Sequence, residues 1–352
     1  MKILVIGPSW VGDMMMSQSL YRTLKAEHPD AVIDVMAPAW CRPLLSRMPE
    51  VNQALAMPLG HGALALGERR RLGKSLQASH YDRAYVLPNS FKSALVPFFA
   101  GIKRRIGWRG EMRYGLLNDC RVLDKAAFPL MVERYVALAY DSPVRSAREL
   151  PQPLLTPQLQ VSEQEKSETS AQFQLTPERP TIGFCPGAEF GPAKRWPHFH
   201  YATLAQQLIS EGYQILLFGS AKDHSTGEEI LSSLPEASRA HCRNLAGETQ
   251  LEQAVILLAQ CHAVVSNDSG LMHIAAALNR PLVALYGPSS PDFTPPLSNR
   301  ARILRLISGY HRVRKGDAGQ GYHQSLIDIQ PAQVHETLST LLREVQEGTC
   351  TS

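Results

Sequence analysis

Short apolar runs of strand length alternate along the chain with stretches whose apolar residues recur at helical spacing. In the first half the runs fall at residues 2–6, 31–36, 52–57 and 82–87. Between them lie amphipathic stretches at 16–27, 41–48 and 63–78, the first placing Met16, Leu20 and Leu24 one turn apart. Residues 90–101 and 129–140 read as further helices. Strands separated by helices predict βαβ units and a parallel sheet. The alternation stops across 142–177, which holds Pro143, Pro151, Pro153, Pro157 and Pro177. Its polar part, SEQEKSETS at 162–170, reads as a short solvated helix.

Alternation restarts with TIGFC at 181–185. Further strands are expected at 213–218, 262–266, 281–286 and 301–307, and helices at 200–211, 249–260, 269–279 and 331–346. The pattern predicts two doubly wound α/β domains, 1–165 and 181–352, joined by a Pro-rich hinge at 166–180. Ligands of such sheets bind at the carboxyl ends of the strands. Two such domains facing each other would form a central cleft.

Composition narrows the class. The 352 residues are 44% hydrophobic and 19% charged, as in ordinary soluble globular proteins. A net charge of +4 excludes a nucleic-acid-binding tail, so any basic surface must be local. None of the six cysteines forms a C-x-x-C pair; they read as buried reduced thiols of a cytosolic protein. No apolar run approaches the ~20 residues that span a bilayer. The longest candidate, ALVPFFAGI at 94–102, is too short and holds Pro97. The opening residues read as a strand rather than a secretory leader. A soluble protein is expected, with at most a contact to a membrane surface.

The loop after the first strand, GPSWVGDM at 7–14, has the G-x-x-x-x-G spacing of a phosphate cradle. A phosphate loop next requires Lys and then Ser or Thr. Asp13 and Met14 stand there instead. Asp13 reads either as the N-cap of the following helix or as a general base beside an acceptor hydroxyl. No G-x-G-x-x-G follows the strand, which argues against a dinucleotide oxidoreductase. In the second half, AVVSNDSGLMHIAAA at 263–277 is strand, tight turn and helix. Ser269 and Gly270 open that helix, whose unpaired N–H groups suit an anion. The competing reading is a plain helix capped by Asp268, with His273 packed inward. The loop CPGAEFGPAKRWP at 185–197 adds Lys194 and Arg195, a pair suited to a diphosphate. Turns at 219–223 and 244–248 would complete a nucleoside pocket. Two basic clusters lie in the first half: Arg69, Arg70, Arg71 with Lys74, and Lys103, Arg104, Arg105 with Trp108, Arg109 and Arg113. They read either as solvated faces or as a surface for an anionic partner, with Trp108 placed to stack on a sugar.

Taken together these motifs resemble glycosyltransferase family 9, the bacterial lipopolysaccharide heptosyltransferases of the two-domain GT-B fold. The carriers are strand 2–6 with Gly12-Asp13-Met14, PGAE…KRWP at 186–197, Gly219-Ser220 with Asp223, and NDSGLMH at 267–273. The resemblance spans essentially the whole chain. It implies two Rossmann-like domains and an inverting, metal-independent transfer with no cofactor. The implied donor is ADP-L-glycero-β-D-manno-heptose, and the acceptor the anionic inner core on Kdo-lipid A, at its first heptose. Asp13 would be the base, and Lys194 would hold the diphosphate and stabilise the leaving ADP. Ser9, Arg195, Ser220, Asp223, Gly247, Asp268, Ser269, Gly270, Leu271 and His273 would bind the donor. Arg69, Arg70, Arg71, Lys103, Arg104, Arg105, Trp108 and Arg109 would meet the acceptor. The location implied is cytoplasmic, with peripheral contact to the inner membrane and no nucleic-acid partner. The competing activities are a sister heptosyltransferase acting on another core sugar, a nucleotide-sugar epimerase and a nucleotide-sugar-binding protein.

Overall fold

The computed structural model describes residues 1–60, 62–175, 178–189, 191–309, 313 and 315–348. The chain divides into two units, Met1–Pro157 and the part from Gln158 onward. In the first, β1 (Lys2–Ile6), β2 (Val32–Ala37), β3 (Val51–Ala56), β4 (Arg83–Val86), β5 (Arg104–Trp108) and β6 (Asp119–Arg121) form one sheet. Its order is β3-β2-β1-β4-β5-β6, and every ladder is parallel. The second sheet comprises β7 (Thr181–Cys185), β8 (Gln214–Leu217), β9 (Cys242–Asn244), β10 (Ala263–Asn267), β11 (Leu282–Leu285) and β12 (Ala301–Leu304). Its order is β12-β11-β10-β7-β8-β9, again all parallel. Renumbered from its own first strand, the second sheet repeats the order of the first. Both are doubly wound Rossmann-like sheets, whose strand order reverses between β1 and β4 and between β7 and β10.

The central strands are buried end to end, as a parallel sheet covered on both faces requires. Val264 and Val265 of β10 and Ile3 to Val5 of β1 have no exposed surface. Helix Pro331–Gln346, whose bounds match the expected ones, buries Val334, Leu338 and Leu341 in the core of the second unit.

Three strands lack the expected apolar run. β5 reads Arg-Arg-Ile-Gly-Trp, so its strand character lies under what looks like a basic cluster. β6 and β9 are three-residue edge strands, short and polar as sheet edges tend to be. Helices His224–Ser232 and Glu236–Arg239 also fall where none is expected.

Two boundaries differ from expectation for clear reasons. Helix Glu163–Gln172 is closed by a capping box: Glu165 N–H donates to Ser162 Oγ at 3.3 Å, and Ser162 N–H to Glu165 Oε2 at 2.8 Å. It packs on helix Leu251–Leu258, and Ser170 Oγ donates to Gln260 Oε1 at 2.8 Å. The segment after Pro157 therefore belongs to the second unit, and the division precedes the expected 165. Thr176 and Pro177 of the expected hinge lie outside the described residues. The first helix, Val11–Glu27, starts at Val11 rather than 16, with Trp10 as its N-cap and no side-chain cap bond. Asp13 is thus inside the first turn, and its reading as the N-cap is corrected.

Candidate active site

In the second unit the loops after β7 and β10 flank the strand-order reversal, where ligands of this sheet type bind. Asn267, the last residue of β10, stitches these loops together. Its Nδ2 donates to Pro186 O at 2.7 Å, while its Oδ1 accepts from Trp196 N–H at 3.1 Å and Tyr201 OH at 3.0 Å. The Trp196 ring is fully buried and donates through Nε1 to Ile329 O at 2.8 Å. The loop that carries Lys194 is therefore anchored at both ends of its basic pair. Lys194 Nζ reaches Asp268 Oδ2 at 2.7 Å, an ion pair that is largely shielded from water. Asp268 is the partner of a cation rather than the helix cap.

Helix Gly270–Ala277 has Ser269 as its N-cap, and Ser269 makes no side-chain cap bond. Its first N–H groups have no partners within the helix and carry its positive dipole end. This end lies directly after the residue that binds Lys194. His273, one turn in, is buried, and that burial pushes its pKa down to about 4, with Lys194 adding to the fall and Asp268 opposing it. The ring is neutral at physiological pH and suits hydrogen bonding rather than proton transfer. The arrangement offers an ammonium, a helix N-terminus and a neutral imidazole side by side, which suits a diphosphate.

The turns after β8 and β9 also meet. Gly247 N–H donates to Gly219 O at 3.0 Å. Gly247 has a φ of +79°, and an added Cβ would stand 2.9 Å from Ala221 Cα, so only glycine fits. Asp223 is largely committed to local structure. Its Oδ2 accepts from Ser220 N–H at 2.9 Å and Ser220 Oγ at 2.8 Å, and Arg195 lies 3.4 Å from its Oδ1. Gly187 and Gly219 both press on the Asp223 side chain: a Cβ at Gly187 would fall 2.4 Å from its carboxyl carbon, and one at Gly219 2.7 Å from its Cβ. Asp223 thus ties the loop after β7 to the turn after β8. Leu271 is half-buried at the start of the helix.

In the first unit Ser9 and Asp13 are both half-buried where the chain leaves β1. Burial raises the Asp13 carboxyl from 3.8 to about 6. A helix N-terminus favours the carboxylate by only ~0.3–1 kcal/mol. A rise of this size corresponds to roughly 3 kcal/mol, so burial wins. A carboxylate poised near 6 is a competent general base at neutral pH.

The expected acceptor residues split. Arg70, Arg71, Lys103 and Arg109 are exposed. The other four are corrected. Arg69 is buried, and its guanidinium donates to the carbonyls of Ala63, Leu64 and Lys92. Arg104 pairs with Asp119 at 2.9 Å and Asp141 at 2.5 Å. Arg105 donates to the carbonyls of Ile102, Gly115 and Leu116. Trp108 is 6% exposed, packs on Phe128 and donates through Nε1 to Arg134 O at 2.9 Å, so its ring has no open face for a sugar. Arg113, expected in the same cluster, is 1% exposed. Each supplies donors to backbone carbonyls or acids within the unit.

Asn267 is the residue the expected site lacks. A buried Asn that closes a strand must satisfy both amide atoms, and the loop after β7 with the helix that follows it supplies the partners.

Among known proteins, the family model for glycosyltransferase family 9 (heptosyltransferase) matches residues 69–323. The chain belongs to this family. It is 77% identical to lipopolysaccharide heptosyltransferase 2 of Escherichia coli K12, over 97% of this chain and 99% of that one. It is equally similar to the Salmonella typhimurium protein of the same name, 77% over 98% of this chain and 99% of that one. Among solved structures, that of E. coli ADP-heptose LPS heptosyltransferase II superposes with a TM-score of 0.91 at 72% identity, covering 98% of this chain and all of that one. The two-sheet architecture is therefore of the GT-B type, and the protein is a glycosyltransferase.

No helix among the described residues is long and apolar enough to cross a membrane. Of the cysteines, Cys41, Cys185, Cys242 and Cys261 are buried free thiols and Cys120 is half-buried, while Cys350 lies outside the described residues.

Proposed function

We propose that this protein transfers heptose from ADP-L-glycero-β-D-manno-heptose to the first heptose of the lipopolysaccharide inner core, with inversion at the anomeric carbon. The observation that carries this reading is end-to-end similarity to heptosyltransferases named for the second step, across both sheets. Asp13 takes the proton of the acceptor hydroxyl. The freed oxygen bonds to the anomeric carbon, and the bond from that carbon to the β-phosphate oxygen breaks. ADP leaves with the electron pair. Lys194 and the N–H groups of Gly270 and Leu271 meet the charge that grows on the diphosphate. Asp268 keeps Lys194 aimed at that oxygen, and neutral His273 donates or accepts one hydrogen bond there. Ser9, Arg195 and Ser220 border the donor. Gly247 leaves room for the nucleoside.

Positive charge from Lys194 and the helix end takes the place a metal ion would fill, so the reaction is expected to run without metal or cofactor. Turnover unchanged by a chelator tests this. Arg70, Arg71, Lys103 and Arg109 are exposed cations suited to the phosphates and carboxylates of the inner core. The protein acts in the cytoplasm, bound peripherally to the inner membrane where a lipid-anchored acceptor resides, and nucleic acid is no partner.

Mass spectrometry of the products decides the step. The protein is incubated with ADP-heptose and either Kdo-lipid A or the same acceptor already bearing one heptose. One added heptose on the second acceptor alone, with ADP released, is the expected result. Addition to the bare Kdo acceptor would identify the preceding step instead. Release of an altered sugar without acceptor would replace transfer with epimerisation.

A further inference from the structure

The first unit turns its basic residues inward and its apolar residues outward at one edge. Arg69 ties the carbonyls of Ala63 and Leu64 to that of Lys92. Arg113 donates to Pro88 O at 2.6 Å and to Trp108 O at 2.6 Å. Glu111 Oε2 accepts from Phe91 N–H at 2.9 Å. Arg105 holds Gly115 and Leu116, and its guanidinium lies 5.5 Å above the Phe98 ring. The bonds of Arg69, Arg113 and Glu111 join the loops that follow β3, β4 and β5 into one connected rim at the carboxyl edge of the sheet, while the contacts of Arg105 carry the last of these loops back toward the amino end of β5.

The tips of that rim are apolar. Met112 is 82% exposed, Tyr114 67%, Leu64 52%, Leu66 51% and Phe91 39%. Single exposed apolar residues are ordinary, but five on neighbouring segments tied by hydrogen bonds are a patch. Exposed cations share those segments: Arg70 and Arg71 on helix Leu66–Ser75 and Arg109 after β5. Glu68 and Glu111 are the exposed acids on them, so positive charge prevails.

We propose that this rim docks on an anionic lipid bilayer, with Met112, Tyr114 and Leu64 entering the headgroup boundary and Arg70, Arg71 and Arg109 meeting lipid phosphates. The inference rests on the membrane contact proposed above and names the surface that makes it. Charge complementarity selects the occupant. A bilayer rewards apolar insertion and cations together, and neither contribution alone holds a protein firmly. The rim also lies at the carboxyl edge of the sheet that carries Asp13, so docking there brings the catalytic end of the unit to the surface where a lipid-anchored acceptor sits.

Vesicle flotation tests this with the full chain. The vesicles are phosphatidylethanolamine alone, or phosphatidylethanolamine with phosphatidylglycerol. The wild type should float with the anionic vesicles and be released by salt. The double variant Met112→Ser, Tyr114→Ser, altered only at exposed side chains, should bind about ten-fold less or weaker still. Its transfer to a deacylated, water-soluble acceptor should be unchanged, which also shows that it is folded. If wild type and variant float equally, membrane contact stands and this surface is wrong. If the wild type binds no vesicle, both the surface and the membrane contact fall. If the wild type self-associates and the variant does not, the patch is an interface between two copies and the lipid assignment is overturned.

Discussion

Two basic clusters, one in each unit, use their side chains in opposite ways. In the second, Lys194 is held by one acid, Asp268, at the end of a strand beside an uncapped helix N-terminus. In the first, Arg69, Arg105 and Arg113 spend donors on backbone carbonyls of their own and neighbouring loops. Sequence runs of Arg look alike in both readings. The difference is one of donor geometry: a guanidinium can satisfy several carbonyls at once and stay charged in a buried place, whereas an ammonium is a compact charge that one carboxylate can aim. An arginine-rich stretch can therefore be a scaffold, while a Lys–Asp pair at a strand end is a candidate ligand site.

The sharpest way to break this comparison is to remove a brace. Arg113→Met should destabilise the protein by about 3 kcal/mol, because it removes a buried donor that serves the carbonyls of Pro88 and Trp108 and the side chain of Asn89. Urea unfolding reads this. A loss below 1 kcal/mol would mean that Arg113 is not a brace. Asn267→Leu should cost about as much, for the same reason, and should also weaken ADP binding because the Lys194 loop loses its anchor. Stability lost with ADP affinity intact would separate the scaffold from the site.

Lys194→Ala should lower ADP affinity by about ten-fold or more, in keeping with loss of a charge-assisted contact, and lower turnover further. Calorimetric titration checks it, and unchanged affinity would remove Lys194 from the diphosphate site. At the small end, Arg71→Ala should change stability by no more than about 0.5 kcal/mol, since its side chain is exposed. A larger loss would place Arg71 among the braces.

Much of this was legible in the sequence, and the failures share a cause. Strands buried on both faces, such as β1 and β10, announce themselves as unbroken apolar runs, and so does the strand–turn–helix around Asp268. β5 did not, because its two arginines find partners elsewhere in the chain, Asp119 and Asp141 for Arg104 and the carbonyls of Ile102, Gly115 and Leu116 for Arg105. Trp108 was misplaced for the same reason: no local pattern says whether an indole faces a sugar or the Arg134 carbonyl. Asp13 was legible as an unusual residue, but its position inside the helix depended on the chain winding up at Val11 without a capping side chain. Local patterns reveal elements, while the partners of polar groups come from the tertiary fold.

Asp13 joins the comparison from the other side, as an acid that burial keeps partly protonated. Because its folded pKa lies above 3.8, folding favours the protonated form. Relative to Asp13→Asn, the wild type is therefore at its most stable below about 4. It loses ground as pH rises through about 6 and is constant above that. At pH 7.5 the amide variant should be the more stable protein, by up to roughly 3 kcal/mol. Wild-type turnover should rise with pH through about 6 as the base ionises. Equal stability at all pH values would mean that the carboxyl is not buried in solution.

The most direct test measures turnover and ADP affinity of Asp13→Asn on the same preparation. The account predicts a fall in kcat of about 10²–10⁴, the usual worth of a general base, with ADP affinity within two-fold or so of wild type. Retained turnover, or ADP binding lost together with activity, would contradict the division of labour in which the second unit holds the diphosphate and Asp13 takes the proton.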